Sequence, residues 1–365
     1  MNTVISAWAA VSPFGIGRKV FRDGLLAGRP AAAGEAAGPD RAAYTVPDFD
    51  ARAVLGKKGT RSMDRVTALA AATVGELLAT APGLDAPAGA DAPDPRRSVV
   101  LGTTTGSAQS MMDFTRSSLT EDKPFFVDPA RFPNTVMNCA AGACAIRYQL
   151  KGPNATIGGG RTAGLLALNY ARRLQLTGRA GSVLCGAAEE YSHARAWLGH
   201  HSRGAGEEAA VLGEGCAMVL VEPAGAGGPE RPGLAELLAV QMGVYGDTAG
   251  IRPALADCVR RALEIAQAAP EDLWLVAPGA AAGPLGEQEQ AALTDVLAGA
   301  APERVSCTEL IGDTSAAAAA FQLVSVLALA QGRPAAAGRL ALVTAVDRDG
   351  ALGCALLRLL DGAAV

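Results

Sequence analysis

Residues 152–190 read GPNATIGGGRTAGLLALNYARRLQLTGRAGSVLCGAAEE: a short apolar run, three glycines, an amphipathic stretch and a second apolar run. Such a switch from buried run to helical periodicity and back predicts strand, sharp turn, helix, strand. The unit recurs. ATIGG, residues 162–177 and SVLCGA in the first half match RVSCTEL, residues 315–331 and ALVTAV in the second, and the Pro/Gly-rich segment 222–233 divides them. This duplication constrains the fold more than any other feature. Two β-α-β units with right-handed crossovers predict two mostly parallel sheets, with helices between and outside them. Residues 315–331 are apolar nearly all round, so this segment should be a buried central helix.

The residue at the strand-to-helix turn matters chemically. Helix N-terminal amides and the macrodipole favour an anion there, so a thiolate or a phosphate is the usual occupant. This chain has Arg161, of the wrong charge for either. Gly158 to Ala163 also fits the G-x-G-x-x-A dinucleotide fingerprint, but its acid should follow about 20 residues on. Glu189 and Glu190 come roughly ten residues later than that rule and after the wrong kind of strand end. The structural reading is that the glycines let helix and strand approach closely.

With 365 residues, half of them hydrophobic, the chain can bury a large core. A net charge of −4 and scattered cations suggest neither a nucleic acid nor an anionic membrane as partner. The N-terminus lacks a basic leader, and no apolar run reaches the ~18 to 20 residues of a span, so a cytoplasmic protein is expected. Seven cysteines (139, 144, 185, 216, 258, 307, 354) form no Cys-x-x-Cys pair and read as reduced, mostly buried thiols. His193, His200 and His201 have no carboxylate or cysteine at workable spacing, which predicts a solvated loop and no metal site. Segments 31–40 and 81–95 read as surface loops.

Taken in order, VSPFGIG, LGTTTGS (101–107), NTVMNCAAGACAIRYQL, CGAAEE, LGEGCAMVLVEP, APGAAAGPLGEQE and VSCTELIGD resemble the β-ketoacyl synthase family of thiolase-fold condensing enzymes. The resemblance implies an α/β thiolase-like fold, with duplicated halves over 1–225 and 233–365 forming a five-layer α-β-α-β-α sandwich. Counting from Asn154, Arg161 takes the place of the family's acylated cysteine. The first family histidine is matched by Pro278 within Ala277-Pro278-Gly279-Ala280, and the second, after Gly312, by Asp313. The glycine-rich terminal loop is altered to Arg348-Asp349-Gly350-Ala351. Nucleophile, base and oxyanion donor are thus replaced together, which implies no catalytic residues.

Cysteine-less members of this superfamily resemble the chain-length factors of type II polyketide synthases. That resemblance implies a heterodimer with a catalytic ketosynthase, with substrate arriving on the phosphopantetheine arm of an acyl carrier protein and no other cofactor. It places Gln109, Met112, Asp113, Phe114 and Met137 along an acyl channel at the interface. The plain reading makes Met111, Met112 and Phe114 core residues of a helix, as also Met137 and Cys139. Asp113 is either a dipole contact in the first helical turn or needs an interface partner. The segment between Glu190 and Gly213 is shorter than in active members, and the chain leans toward the partners of polyene-type pathways. An unconventional acyl-transfer enzyme using Arg161 and Asp313, or a homodimeric acyl-binding scaffold, are the alternatives. A guanidinium buried at a helix N-terminus needs a carboxylate, so Arg161 is expected to pair with Asp313 or Asp349 and to plug the former cysteine pocket.

Overall fold

The computed structural model describes residues 2–36, 38–84, 95–203 and 210–361. Of the loop expected over 81–95, residues 85–94 lie outside the described residues. The expected loop at 31–40 contains a short strand, Gly34–Glu35, paired with Ala42–Ala43.

Strands of the first half are β1 (Thr3–Ser12), β2 (Arg97–Thr103), β3 (Asn154–Gly158), β4 (Ser182–Glu189) and β5 (Gly215–Pro223). Those of the second are β6 (Ala235–Val244), β7 (Leu273–Ala277), β8 (Glu303–Arg304), β9 (Leu340–Val346) and β10 (Ala351–Leu359). They run in the order β8-β7-β9-β10-β6-β1-β5-β4-β2-β3, and the short strand Gly15–Ile16 adds to β1. The halves have the same plan. In the first, β2 pairs in parallel with β3 and β4, while β5 pairs antiparallel with β4 and β1. In the second, β7 pairs in parallel with β8 and β9, while β10 pairs antiparallel with β9 and β6.

Two expectations are corrected here. The sheets are mixed instead of mostly parallel: β10 follows β9 across the turn at 347–350, too short for the crossover that a parallel return requires. They are also joined into one hydrogen-bonded surface, because β1 and β6 meet over Val4↔Glu236 and Ile5↔Ala235.

Period-2 alternation in the buried strands sorts side chains into three apolar cores. Ala217, Val219 and Val221 of β5 and Ala341, Val343 and Ala345 of β9 face the central core. Cys216, Met218 and Leu220 face one outer core, and Leu340, Leu342 and Val346 the other. The central layer holds α4 (Ala163–Leu176) and α8 (Ala318–Ala330), which touch each other. One outer layer is α1 (Arg65–Thr80) with α3 (Cys139–Tyr148), the other α6 (Thr248–Ala266) with α7 (Pro284–Leu297). The result is the five-layer thiolase-like sandwich. In α8 every side chain except Leu329 is buried, as its all-round apolarity requires. Phe321 of α8 stacks on Phe21 with centroids 5.7 Å apart, so its truncation to alanine should cost about 3–5 kcal/mol.

Two helices flank this stack: α2 (Ala108–Thr120) and α5 (His193–His201). The latter corrects the loop expected for the histidines. Ser192 caps it by accepting the Arg195 N–H, and Ala194 and Ala196 bury its inner side, leaving the histidines on the outer face around Trp197. Among the described residues, no group of His, Cys, Asp and Glu could hold a metal ion, and no helix is long and apolar enough to cross a membrane.

Candidate functional site

The turn from β3 into α4 is built on Gly160, whose φ of 48° lies in the left-handed region. A Cβ here would stand 2.0 Å from Asp347 Oδ2, so only glycine fits. That carboxylate, from the residue after β9, accepts the Arg161 N–H at 2.6 Å. An anion does sit at the helix N-terminus, but the other half of the fold supplies it. The dinucleotide reading loses its phosphate site to the same carboxylate.

The Arg161 side chain is nearly buried (11% exposed), and its Nη2 pairs with Asp313 Oδ2. Asp313 Oδ1 accepts the Ser315 N–H at 2.8 Å. Burial works to raise the Asp313 pKa, but the charges of Arg161 and Arg195 and the Ser315 amide prevail and hold it below the ordinary carboxylate value. Of the two acids expected to meet Arg161, Asp313 does so. Asp349 donates its N–H to Asp347 Oδ1 at 3.0 Å, and it is Asp347 that reaches α4.

Beside Pro278 the loop is tied inward. Gly279 and Ala280 donate N–H groups to the two Glu289 oxygens, each at 2.9 Å, and Thr344 Oγ1 donates at 2.7 Å. Burial raises the Glu289 pKa against these donors and the charge of Arg161. Gln322 of α8 donates to Ala277 O (2.6 Å) and Thr344 O (2.9 Å).

The start of α8 repeats the start of α4. Ser315 has φ 45°, and Thr104 Oγ1 donates to Glu189, at the end of β4, while lying 3.1 Å from Ser315 Oγ. Each half therefore sets an acid beside the start of the other's central helix.

All seven cysteines are free thiols, six of them buried, and burial pushes Cys216 and Cys307 up to about 12, far from thiolate at neutral pH.

The expected channel residues lie on and beside α2. Met112 is 49% and Met137 40% exposed, with Met111 also exposed, so the reading of these methionines as core is corrected. Phe114 is half-buried and packs on Phe132 (centroids 5.7 Å). Phe125, Phe126 and Leu119 extend the apolar surface, and Met137 lies over Gly158 and Gly106, linking it to the turn before Arg161. Asp113 stands in the second helical turn, not the first, and accepts from Gln109 Nε2 at 2.9 Å. Gln109 Oε1 accepts the Ala194 N–H of α5 at 3.0 Å.

Sequence reasoning missed Glu189, Glu190, Glu289 and Asp347. Consecutive acids closing an apolar strand in CGAAEE, and an acid directly after ALVTAV, were the available signals.

This layered, duplicated architecture with a helix N-terminus at the pocket defines a thiolase-like condensing fold. The family described as "Beta-ketoacyl synthase, N-terminal domain" matches residues 3–226, and the chain belongs to the β-ketoacyl synthase family. It is 28% identical over 243 residues to 3-oxoacyl-[acyl-carrier-protein] synthase 2 of Coxiella burnetii, covering 60% of this chain and 58% of that protein. With the Vibrio harveyi synthase it shares 31% over 152 residues, 42% of this chain and 35% of that one. The matches thus span little more than half of these relatives at most. The solved "ishigamide ketosynthase/chain length factor" is similar over 99% of this chain and 100% of that one, at 44% identity and TM-score 0.86. A β-ketoacyl synthase from Burkholderia phymatum STM815 shares the fold at 20% identity and TM-score 0.80, over 98% and 99% of the two chains.

Proposed function

We propose that this chain is a non-catalytic chain-length-factor subunit, which pairs with a cysteine-bearing ketosynthase and shapes the channel for a growing polyketide. The observation that carries this reading is the Arg161–Asp313 pair, standing where condensation needs a thiolate and a histidine. A guanidinium held by a carboxylate can neither attack a thioester nor accept a proton. The 44% identity to a ketosynthase/chain length factor structure supports the same reading.

The exposed apolar surface of Met111, Met112, Phe125, Phe126, Phe132 and Met137 supplies the face that an obligate partner covers. Met112, Phe114 and Met137 stand nearest the channel, while Gln109 and Asp113 brace α2 against α5. Substrate arrives on the phosphopantetheine of an acyl carrier protein, and no other cofactor is called for. The product belongs to a reduced, polyene-type pathway, and the complex works in the cytoplasm.

Co-expression with a neighbouring ketosynthase tests the proposal. We expect one heterodimer by size exclusion and mass analysis, condensation activity only in the pair, and shortened products with Met112→Trp, which overpacks a channel wall. A well-folded monomer indifferent to ketosynthases, or turnover of acyl carrier thioesters by this chain alone, overturns it.

A further inference from the structure

A second acid cluster lies apart from the retired pocket. Three helix N-termini, those of α1, α2 and α5, converge on a cleft of about 320 Å³ lined by Asp64, Arg65, Ser107, Gln109, Glu190 and His193, among others. Glu190, only 2% exposed, stands at its floor. Its Oε1 accepts from Ser107 Oγ (3.0 Å) and the Gln109 N–H (3.3 Å) of α2. Its Oε2 accepts the Val66 N–H of α1 at 3.2 Å. One buried carboxyl thus ties the first turns of two helices together, and through Gln109 Oε1 and Ala194 a third.

The surrounding charges make this tie depend on a proton. From α1, Asp64 faces it, with Oδ1 capping Thr67 N–H at 2.8 Å and Oδ2 buried with no hydrogen-bond partner among the described residues. Arg65 is committed to Glu214, through Nε (2.7 Å) and Nη2 (2.5 Å). From β4 comes Glu189; from α5 come His193, which lines the cleft, and Arg195, whose Nη1 is held by the Glu190 and Gly213 carbonyls. The first turn of α2 brings hydroxyl and amide donors but no charge. Burial first, then the charge of Asp64, push the Glu190 pKa up to about 7.

We propose that Glu190 is a proton-sensitive positioning residue for α2, releasing or tightening the start of the helix that carries Met111 and Met112. Ionised, it keeps the helix N-terminal donors but carries a charge out of water and against Asp64, a cost that outweighs those donors and loosens the start of α2. Protonated, its hydroxyl turns to the open acceptor, Asp64 Oδ2, the burial and repulsion costs are gone, and the start of α2 is held more tightly. The consequence for product length rests on the channel reading above; the tie itself does not.

Backbone hydrogen exchange of the protein, alone and with any ketosynthase that co-purifies, tests this between pH 6 and 8 after correction for intrinsic exchange rates. Protection of the first-turn amides of α2 should fall roughly tenfold toward pH 8, because opening lets Glu190 ionise in water and is favoured as the pH rises through its raised pKa. In Glu190→Gln it should be flat. Asp64→Asn keeps a good N-cap and removes the opposing charge, so it should move the wild-type midpoint to lower pH. An equal pH response in wild type and Glu190→Gln, or a midpoint unmoved by Asp64→Asn, overturns the proposal. Failure of the heterodimer reading would show separately, as no ketosynthase co-purifying.

Discussion

The N-termini of α4 and α8 occupy matching places in the two halves, yet carry different chemistry. Both follow a turn with positive φ, at Gly160 and at Ser315. Both meet an acid from the end of a strand in the opposite half, Asp347 beside α4 and Glu189 beside α8. Beyond that acid they diverge. The α4 turn presents a guanidinium locked to Asp313, whereas the α8 turn presents hydroxyls, Ser315 against Thr104. The duplicated backbone holds either arrangement, so the fold alone does not decide chemistry. The side chain placed at one turn does.

The largest expected effect breaks the α4 side of the comparison. Arg161→Ala leaves Asp313 largely buried without its partner and should cost about 3–5 kcal/mol in denaturant unfolding. A loss under about 1 kcal/mol, the range of an exposed pair, would mean that the plug is a surface contact.

The acids beside the two turns should then give pH slopes of opposite sign. Asp313 is held below its ordinary value, so its contribution is present above the unfolded carboxylate pKa and is lost as the pH falls through the lower folded one. Glu190, next to Glu189, is raised from 4.5 to about 7, so its contribution is present below pH 4.5 and is lost as the pH rises to about 7. That loss should amount to about 3 kcal/mol, at 1.36 kcal/mol per pKa unit. Thermal melts across this window should show the decline in wild type and not in Glu190→Gln. Identical curves would refute the assignment.

Smaller effects separate the two turns. Gly160→Ala strains φ and displaces the Asp347 cap, together about 2 kcal/mol, while Ser315→Gly relieves strain and should change stability by less than about 1 kcal/mol. Equal losses in chemical denaturation would show that the turns are not as different as their contacts. Smallest is an effect of zero. Arg161→Cys alone should add no condensation activity to the isolated chain, because neither Pro278 nor Asp313 supplies a base or an oxyanion donor. Activity in an acyl carrier thioester assay would reopen the catalytic alternative.

Much of this was legible in one dimension. The apolar runs of β5 and β9 alternate faces, the sequence of α8 is apolar all round, and Arg161 stands where an anion belongs. The pairing with Asp313 could be anticipated because a buried guanidinium demands a carboxylate. Other features left no local trace. Met112 looks like a core residue in its own helix, and its exposure follows from α2 packing at the edge of the layers instead of between them. The mixed sheets likewise depend on which strands return by a short turn.

Periodicity and residue type by themselves determined the repeated strand–helix–strand units, the buried central helix and the absence of a thiol at the turn into α4, because each is carried by neighbouring residues along the chain. Only the tertiary structure decided which acids answer that turn. Asp347 lies 186 residues from Arg161, and Glu190 lies 124 from Val66. A hydrogen bond is set by distance and angle in space, and spacing along a chain fixes neither beyond a few residues.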